Sequence, residues 1–359
     1  MAGDGAWSPG GAEERAAADE EPRVSGAPTQ ASGLCGQRAT KAMGEQMIQP
    51  RLGEDFPEVP KDVLKWIIKV FRICNRRASF KMTKIPTSQE HSLDMTIVDE
   101  VSHFSAPFIL PSKWTVRIET HFLGGMKHFN GWEIADIGLL ATFRKGGRLI
   151  KTKVALLQSK RLYPEEQTYE EATKIDYMTG FGSLLEKDAI AMHLAQPRNF
   201  GFTNKSKYSA LKVNDDQYLA IDRYEDETKI PVYYLLYNPY EVPWSIELPL
   251  PSGLKIKAHA KETCKVLPAK IVRAALSGKA TNYTPLFSDL CHQSPMPGKK
   301  RWPGGWKLEE FVGKQFIPCK QGYKSFEART DESIYNVFNR RSGPIASAIS
   351  INIEAPITS

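Results

Sequence analysis

The feature that most constrains the fold of this chain is a pair of apolar runs on either side of a Gly-Gly dipeptide. Residues 133–143 and 149–162 are predicted strands, joined by a tight turn at Lys145-Gly146-Gly147. Glycine adopts the positive φ angles that short hairpin turns require, so this pattern predicts a β-hairpin. The chain is therefore expected to build a sheet around these two strands.

The hairpin also predicts which side chains are neighbours. With a three-residue turn, paired positions sum to about 294, which places Asp136 opposite Gln158; with a two-residue turn these residues are diagonal neighbours. Side chains alternate along a strand, so Gln158 and Lys160 share one face while Ser159 points to the other. A carboxylate, an amide and an ammonium group are therefore expected to converge.

This combination suits metal-dependent hydrolysis of a phosphodiester. Mg²⁺ (or Mn²⁺) prefers oxygen ligands and needs only one or two protein carboxylates. Asp136 would be the main metal ligand, and the side-chain carbonyl of Gln158 and the backbone carbonyl of Ser159 would complete the coordination. Lys160 would orient or help to deprotonate the attacking water and would neutralise charge that develops on the phosphate.

These residues resemble a known superfamily. Asp136-Ile137-Gly138, then a strand and a turn, then Val154-Ala155-Leu156-Leu157-Gln158-Ser159-Lys160-Arg161, are similar to the PD-(D/E)xK restriction-endonuclease-like nucleases. The glutamine matches the QxK variant of Mrr-type restriction enzymes. The resemblance covers about residues 85–240, and it implies a mixed sheet with helices on its sides and an Mg²⁺-dependent nuclease site.

The resemblance also implies a further acidic metal ligand, from the preceding helix or from the first strand. Glu90 fits the helical position, Glu119 fits the strand position, and Glu100 is a third choice. Glu90 has an alternative interpretation, because Thr87-Ser88-Gln89-Glu90 has the spacing of a helix capping box. Glu119 has an alternative as well, since it could pair with a basic residue across a sheet.

The charge of the chain favours a polyanionic partner. The formal net charge is +7, and residues 1–42 hold four basic and six acidic side chains, so the remainder is more basic than the whole. Neutralised phosphates release condensed counterions, which favours binding of a basic protein to nucleic acid. Arg161, Lys153 and Lys151 are the predicted phosphate contacts, with DNA as the expected partner.

The fold class is predicted as α/β (α+β), a mixed central sheet flanked by helices with a restriction-endonuclease-like core. Residues 1–45 are predicted to be disordered, residues 46–240 to form the nuclease-like core, and residues 241–359 to form an accessory region or to pack on the core. A helix with a basic outer side is predicted after Pro60. Further strands are predicted at Tyr218–Asp222 and Val232–Tyr237.

Several classes of protein are not expected. There is no apolar run of 18 residues and no secretory signal pattern, so the expectation is a cytoplasmic protein with no membrane partner. The sequence has no phosphate-binding loop of an ATPase and no protease motif. A motor or an activating protein would therefore be a separate partner, and cutting both DNA strands would favour a homodimer.

The resulting hypothesis is a metal-dependent DNA endonuclease that acts in restriction or anti-phage defence. Two alternatives stay open from the sequence. One is a catalytically inactive member of the same fold that binds nucleic acid. The other is an unrelated α+β interaction protein whose basic face binds an acidic partner.

Overall fold

A central mixed β-sheet organises the computed structural model of this chain. The structure describes residues 57–123, 132–164, 198–248, 261–291, 304–325, 331–338 and 344–357, all within one unit that spans Gln49–Ser359. The predicted disordered segment, residues 1–45, lies outside the described residues. The coarse prediction of an α+β fold with helices beside a mixed sheet is confirmed.

Eight strands form the main path of the sheet, and a ninth pairs with one of them. The order along the path is β1-β2-β11-β3-β4-β6-β8-β9, with β10 paired to β4. β11 is parallel to β3 and β4 is parallel to β6, while the other described pairs are antiparallel. β5 and β7 form a separate two-stranded sheet. The strands are β1 (Phe108–Ile109), β2 (Thr115–Phe122), β3 (Ala135–Lys145), β4 (Arg148–Arg161), β5 (Arg198–Phe202), β6 (Val232–Tyr237), β7 (Trp244–Leu248), β8 (Lys265–Pro268), β9 (Trp306–Lys307), β10 (Tyr323–Ser325) and β11 (Ile345–Ala355).

Two long helices precede the first strands. α1 buries a stripe at helical spacing that includes Val63, Ile67 and Val70, as the sequence predicts. α2 follows and packs against α1 and against β2 and β4. The helices are α1 (Lys61–Lys84), α2 (Glu90–Ser102), α3 (Asp216–Thr228), α4 (Ala269–Ala275), α5 (Phe287–Leu290), α6 (Leu308–Glu310) and α7 (Glu332–Phe338), with a π-helical segment at Phe311–Phe316.

The hairpin of β3 and β4 combines both turn geometries that the sequence left open. The turn itself is two residues long, Gly146 and Gly147, with φ angles of 56° and 74°. A register shift between Phe143 and Arg144 then adds one residue to β3. The pairing from Phe143 onward is therefore the one expected for a three-residue turn, and it continues to Ile137↔Leu157. Asp136 and Gln158 are the next positions.

The C-terminal strand corrects the predicted domain boundary. β11 lies between β2 and β3, pairing with both along most of its length. β8, β9 and β10 also join the same sheet. Residues beyond 240 are therefore part of the central sheet, because the hydrogen-bonding edges of β2 and β3 are both completed by the end of the chain.

The prediction of a strand at Tyr218–Asp222 is wrong. This segment lies within α3, which begins after Asp215, and the Asp215 side chain accepts a hydrogen bond from the Tyr218 backbone N–H at 2.8 Å. An aspartate in this position caps the first turn of a helix. The predicted strand Val232–Tyr237 is confirmed as β6, and all six of its residues are buried.

The helices of the described part of the chain were also compared with the length of a bilayer. None of them is both long enough and apolar enough to cross a membrane.

Candidate active site

The candidate site lies where β3 and β4 separate. Their pairing stops at Ile137↔Leu157, after which β3 continues beside β11 and β4 continues beside β6. The edge of β4 that faced β3 therefore has unpaired backbone groups at Ser159 and Arg161. A buried backbone N–H needs an acceptor, so side chains must supply the acceptors here.

Two carboxylates supply them. The Ser159 backbone N–H donates to Asp136 Oδ2 at 2.7 Å, and the Arg161 backbone N–H donates to Glu90 Oε1 at 2.9 Å. Asp136 comes from β3 and Glu90 from the first residue of α2. The separation of the strands thus brings two acidic side chains from different elements to the same edge of β4.

The predicted proximity of Asp136 and Gln158 is confirmed. Gln158 Nε2 donates to Asp136 Oδ2 at 2.7 Å. The other atom of this amide, Oε1, is buried and has no hydrogen-bond partner among the described residues. An amide oxygen without a partner in a buried site costs free energy, so it is an acceptor that a ligand can satisfy.

Lys160 is held beside this pair by a residue that the sequence did not indicate. Its Nζ donates to Gln217 Oε1 at 2.9 Å, and Gln217 Nε2 donates to the Glu133 backbone carbonyl at 3.4 Å. Gln217 lies in the first turn of α3, whose helical character was missed. A helix prediction for residues 216–228 would have placed a polar side chain of α3 near the sheet.

Asp94 is the second site residue that the sequence analysis missed. It lies on α2 and is buried, and its Oδ1 accepts hydrogen bonds from Tyr237 Oη at 2.6 Å and from Ser159 Oγ. Its Oδ2 has no partner among the described residues. The available signal was its spacing, because Asp94 follows Glu90 by four residues and is therefore on the same helix face.

The interpretation of Glu90 as a capping-box residue is wrong. α2 begins at Glu90 itself, and its N-cap residue, Gln89, makes no side-chain capping hydrogen bond. Glu90 therefore does not lie three residues inside the helix, where a capping box requires it. Its carboxylate accepts from β4 instead, as described above.

The protonation of the two aspartates reflects their burial and their proximity. Burial raises the pKa of Asp136 to about 7, against the opposing effects of the Lys160 ammonium and the Ser159 N–H. Burial, and then the charge of Asp136, raise the pKa of Asp94 well above its usual range. Two carboxylates that resist ionisation together favour a bound proton or a cation at this place.

Glu119 and Glu100 are not part of the candidate site. Glu119 is on β2, which β11 separates from β3; it accepts a hydrogen bond from Asn352 at 3.1 Å and forms an ion pair with Arg117. Glu100 pairs with Arg77 at 3.5 Å. The prediction of Glu119 as a ligand beside Asp136 is wrong because the C-terminal strand lies between β2 and β3.

The predicted phosphate contacts also need correction at two positions. Arg161 and Lys153 are both 0% exposed, and a side chain that is wholly buried cannot bind a phosphate on the surface. Arg161 Nη1 donates to the backbone carbonyls of Pro86 and Ser88 at 2.8 and 3.1 Å. Lys153 donates to the Gln321 carbonyl.

The third predicted contact, Lys151, is half-buried. Its Nζ lies 4.4 Å from the centre of the Phe143 ring. Phosphate binding at Lys151 therefore stays a prediction.

The residues present fit a hard cation through oxygen atoms. Among the described residues, no group of three or more His, Cys, Asp and Glu side chains is arranged to hold a metal ion. The acceptors of the candidate site are instead two aspartates and an amide, and two of their oxygens, Asp94 Oδ2 and Gln158 Oε1, have no donor. Oxygens of this kind are the ligands that Mg²⁺ takes in proteins, together with several waters.

Comparison with known proteins gave no identification. The chain matches no family model, and neither the curated proteins nor the solved structures contain a match. The function is therefore inferred from the geometry of the candidate site.

Proposed function

We propose that this chain is a metal-dependent nuclease that hydrolyses phosphodiester bonds in DNA, with a restriction-endonuclease-like core of the QxK type. One observation carries the proposal. Beside Asp136 are two buried acceptor oxygens without donors, Asp94 Oδ2 and Gln158 Oε1, next to an ammonium group on the same strand. This arrangement suits a bound cation and a phosphate.

In this proposal Asp136 and Gln158 hold Mg²⁺ or Mn²⁺. Asp94 and Glu90 replace Glu119 as the candidates for the second carboxylate. When bound, such a cation polarises the scissile phosphate and lowers the pKa of a coordinated water. The carboxylates bind the cation in their ionised form, and this lowers their pKa values toward the usual range.

Lys160 has the role of a positioned donor. Its ammonium is held by Gln217 Oε1 at 2.9 Å, which fixes the direction in which its remaining N–H groups point. A donor aimed at a phosphate oxygen or at the attacking water stabilises charge that develops during hydrolysis. Gln217 acts through Lys160 and is a positioning residue.

A plasmid-nicking assay with Mg²⁺ or Mn²⁺ tests the proposal. Wild type should nick supercoiled DNA, EDTA should abolish nicking, and Asp136→Ala and Lys160→Ala should both lose at least about 100-fold in rate. Retention of the wild-type rate by either variant would contradict the assignment of its role. Restriction or anti-phage defence is the biological role proposed with this activity.

Matched carboxylates separate the candidate site from charge removal in general. Asp94→Asn should reduce nicking strongly, whereas Asp99→Asn, an exposed aspartate on the same helix, should not. Glu119→Gln should also retain activity, because Glu119 is paired with Arg117 and Asn352 on the far side of β11. Loss of activity in Glu119→Gln and not in Asp94→Asn would overturn the choice of second carboxylate.

A second candidate function has an observation in its favour. Gln158 and Lys160 are each only 4% exposed, so access for a phosphate depends on the half-buried Asp136, Glu90 and Gln217. Such limited access favours a member of the same fold that binds nucleic acid without cutting it. Salt-dependent DNA binding, with no nicking in either metal, would support this alternative and reject the nuclease.

A further inference from the structure

The outer surface of α1 is basic along most of its length. α1 contains eight basic side chains and one acidic side chain. All six of its exposed residues are basic: Lys61, Lys65, Lys69, Arg72, Arg76 and Arg77. No acidic or apolar residue interrupts this exposed surface.

Five of these residues form one continuous stripe. At about 100° per residue, Lys61, Lys65, Lys69, Arg72 and Arg76 fall within an arc of about 80°, and the stripe is about 22 Å long. We call these five residues the α1 basic stripe. The buried residues of the helix, among them Val63, Ile67, Cys74 and Ala78, are on the opposite side.

The charges of the stripe are poorly compensated. Within the described ranges, Lys65, Lys69 and Arg76 form no ion pair, and Arg72 lies 3.8 Å from Glu309 at its closest. The one acidic residue of the helix, Asp62, accepts the backbone N–H groups of Val63 and Ser112 at 3.0 and 2.9 Å. Like charges in a row repel each other, so a bound polyanion would relieve a cost that the free protein carries.

We infer that the α1 basic stripe is a binding surface for the phosphate backbone of duplex nucleic acid, contacted without regard to base sequence. The composition of the exposed face favours this partner over others. Single-stranded nucleic acid is bound on aromatic stacking platforms, and α1 exposes no aromatic side chain. Helices that bind membrane surfaces expose large apolar residues beside their basic ones, and α1 exposes none of these either.

The absence of base-reading groups on this face supports the same conclusion. Bases are read mainly by Arg, Asn and Gln at short range, whereas lysines neutralise phosphates as point charges. The exposed set on α1 contains no amide side chain, and Lys61, Lys65 and Lys69 form its first half. The stripe therefore holds a duplex without selecting its sequence.

This inference does not require cleavage at the candidate site, so the two proposals fail separately. The test uses the full chain in EDTA, which prevents metal-dependent cutting. Fluorescence anisotropy with a labelled 20-base-pair DNA duplex, and with an RNA duplex of the same sequence, gives the Kd at several KCl concentrations. The variant Lys65→Gln/Lys69→Gln/Arg76→Gln avoids the two arginines that contact carboxylates.

A matched variant removes the same charge elsewhere. Lys229→Gln/Lys270→Gln/Lys279→Gln changes three exposed lysines outside α1. The stripe variant should raise the Kd at least about 30-fold near 0.1 M salt and reduce the slope of log Kd against log salt by about 2 to 3. The matched variant should change the Kd less than about threefold, and thermal melting should show that both variants fold like wild type.

Binding of either duplex with this difference between the variants supports the inference, and weaker binding to one duplex than to the other identifies the preferred backbone. Three results would overturn it. These are no duplex binding by wild type, equal weakening by the two triple variants, and capture by vesicles of anionic phospholipid without any duplex binding. Normal nicking with undiminished duplex binding by the stripe variant would reject the stripe and leave the nuclease standing.

Discussion

Two buried polar clusters in this protein differ in how completely their hydrogen bonds are satisfied. The first joins α1 to the start of β8. Asn75 Nδ2 donates to Glu309 Oε2 at 2.6 Å and to Thr263 Oγ1 at 3.2 Å, and its Oδ1 accepts from the Cys264 N–H at 2.9 Å. Each group of the Asn75 amide has a partner, as stable cores require.

The candidate site is the second cluster, and it retains unsatisfied acceptors. Asp94 Oδ2 and Gln158 Oε1 are buried and have no donor among the described residues, and Asp136 is a carboxylate whose pKa is raised by burial. A cluster that only holds the fold together gains nothing from such atoms. The difference indicates that the Asn75 cluster serves stability and that the candidate site is built for a ligand.

The strongest test of this comparison is Asp136→Asn. Asparagine retains an acceptor for Ser159 and Gln158 but loses the charge, so the nicking rate should fall about 10³-fold, equivalent to about 4 kcal/mol. The free energy of unfolding at pH 8 should not fall. The folded pKa of about 7 exceeds the usual 3.8, so the ionised form destabilises the fold at pH 8, and stability falls as pH rises between these values.

Urea denaturation and nicking rates, measured on the same preparation of Asp136→Asn, check both parts. A destabilised variant that retains activity would show that Asp136 belongs with the structural cluster. It would remove the distinction between the two regions.

The converse test is Asn75→Ala. It leaves the buried carboxylate of Glu309, the Thr263 hydroxyl and the Cys264 N–H without their partner, so the free energy of unfolding should fall by about 3 kcal/mol. Nicking per folded molecule should be unchanged. Asn204→Ala, at an exposed position, is the control and should change stability by less than about 0.5 kcal/mol.

A third prediction concerns a buried cation on the strand that carries the site. Burial lowers the pKa of Lys153 from 10.5 to about 8. Between these values the unfolded chain binds more protons than the folded one, so the contribution of Lys153 to stability rises with pH across this window. The cost of burying the charged amine is present in full below about pH 8.

Lys153→Met should therefore stabilise the protein by about 2 kcal/mol at pH 7, and the gain should vanish toward pH 10.5. Urea denaturation at several pH values measures it. Lys151→Met, two residues away on the same strand face, reports the effect of removing a half-buried amine. A gain that does not change with pH would reject the assignment to Lys153.

The smallest expected effect compares two buried tyrosine hydroxyl groups. Tyr237 Oη donates to Asp94 Oδ1 at 2.6 Å, and Tyr208 Oη donates to Asn238 Oδ1 at 2.7 Å. Tyr237→Phe and Tyr208→Phe should each cost about 1 kcal/mol of stability. Only Tyr237→Phe should also slow nicking, by less than about tenfold. Equal rates in the two variants would place Tyr237 outside the site.

The local parts of the site could be predicted from the sequence. The Gly-Gly turn and the apolar runs predict the hairpin, and the alternation of side chains in a strand then places Asp136 beside Gln158 and puts Lys160 on the face of Gln158. A single register shift at Phe143 and Arg144 reconciled the two turn lengths. These predictions succeed because strand pairing next to a tight turn is a local property.

The rest depended on contacts between residues that are distant along the chain. The insertion of β11 between β2 and β3 excludes Glu119, and the packing of α2 on β4 brings in Asp94. The docking of α3 adds Gln217, and the closing of the core around β4 buries Arg161 and Lys153. The sequence by itself determined the hairpin and its chemistry, because turn geometry and side-chain alternation act over a few residues. Only the tertiary structure decided which acids complete the site and which cations are buried, because burial and strand order are set by packing across the whole chain.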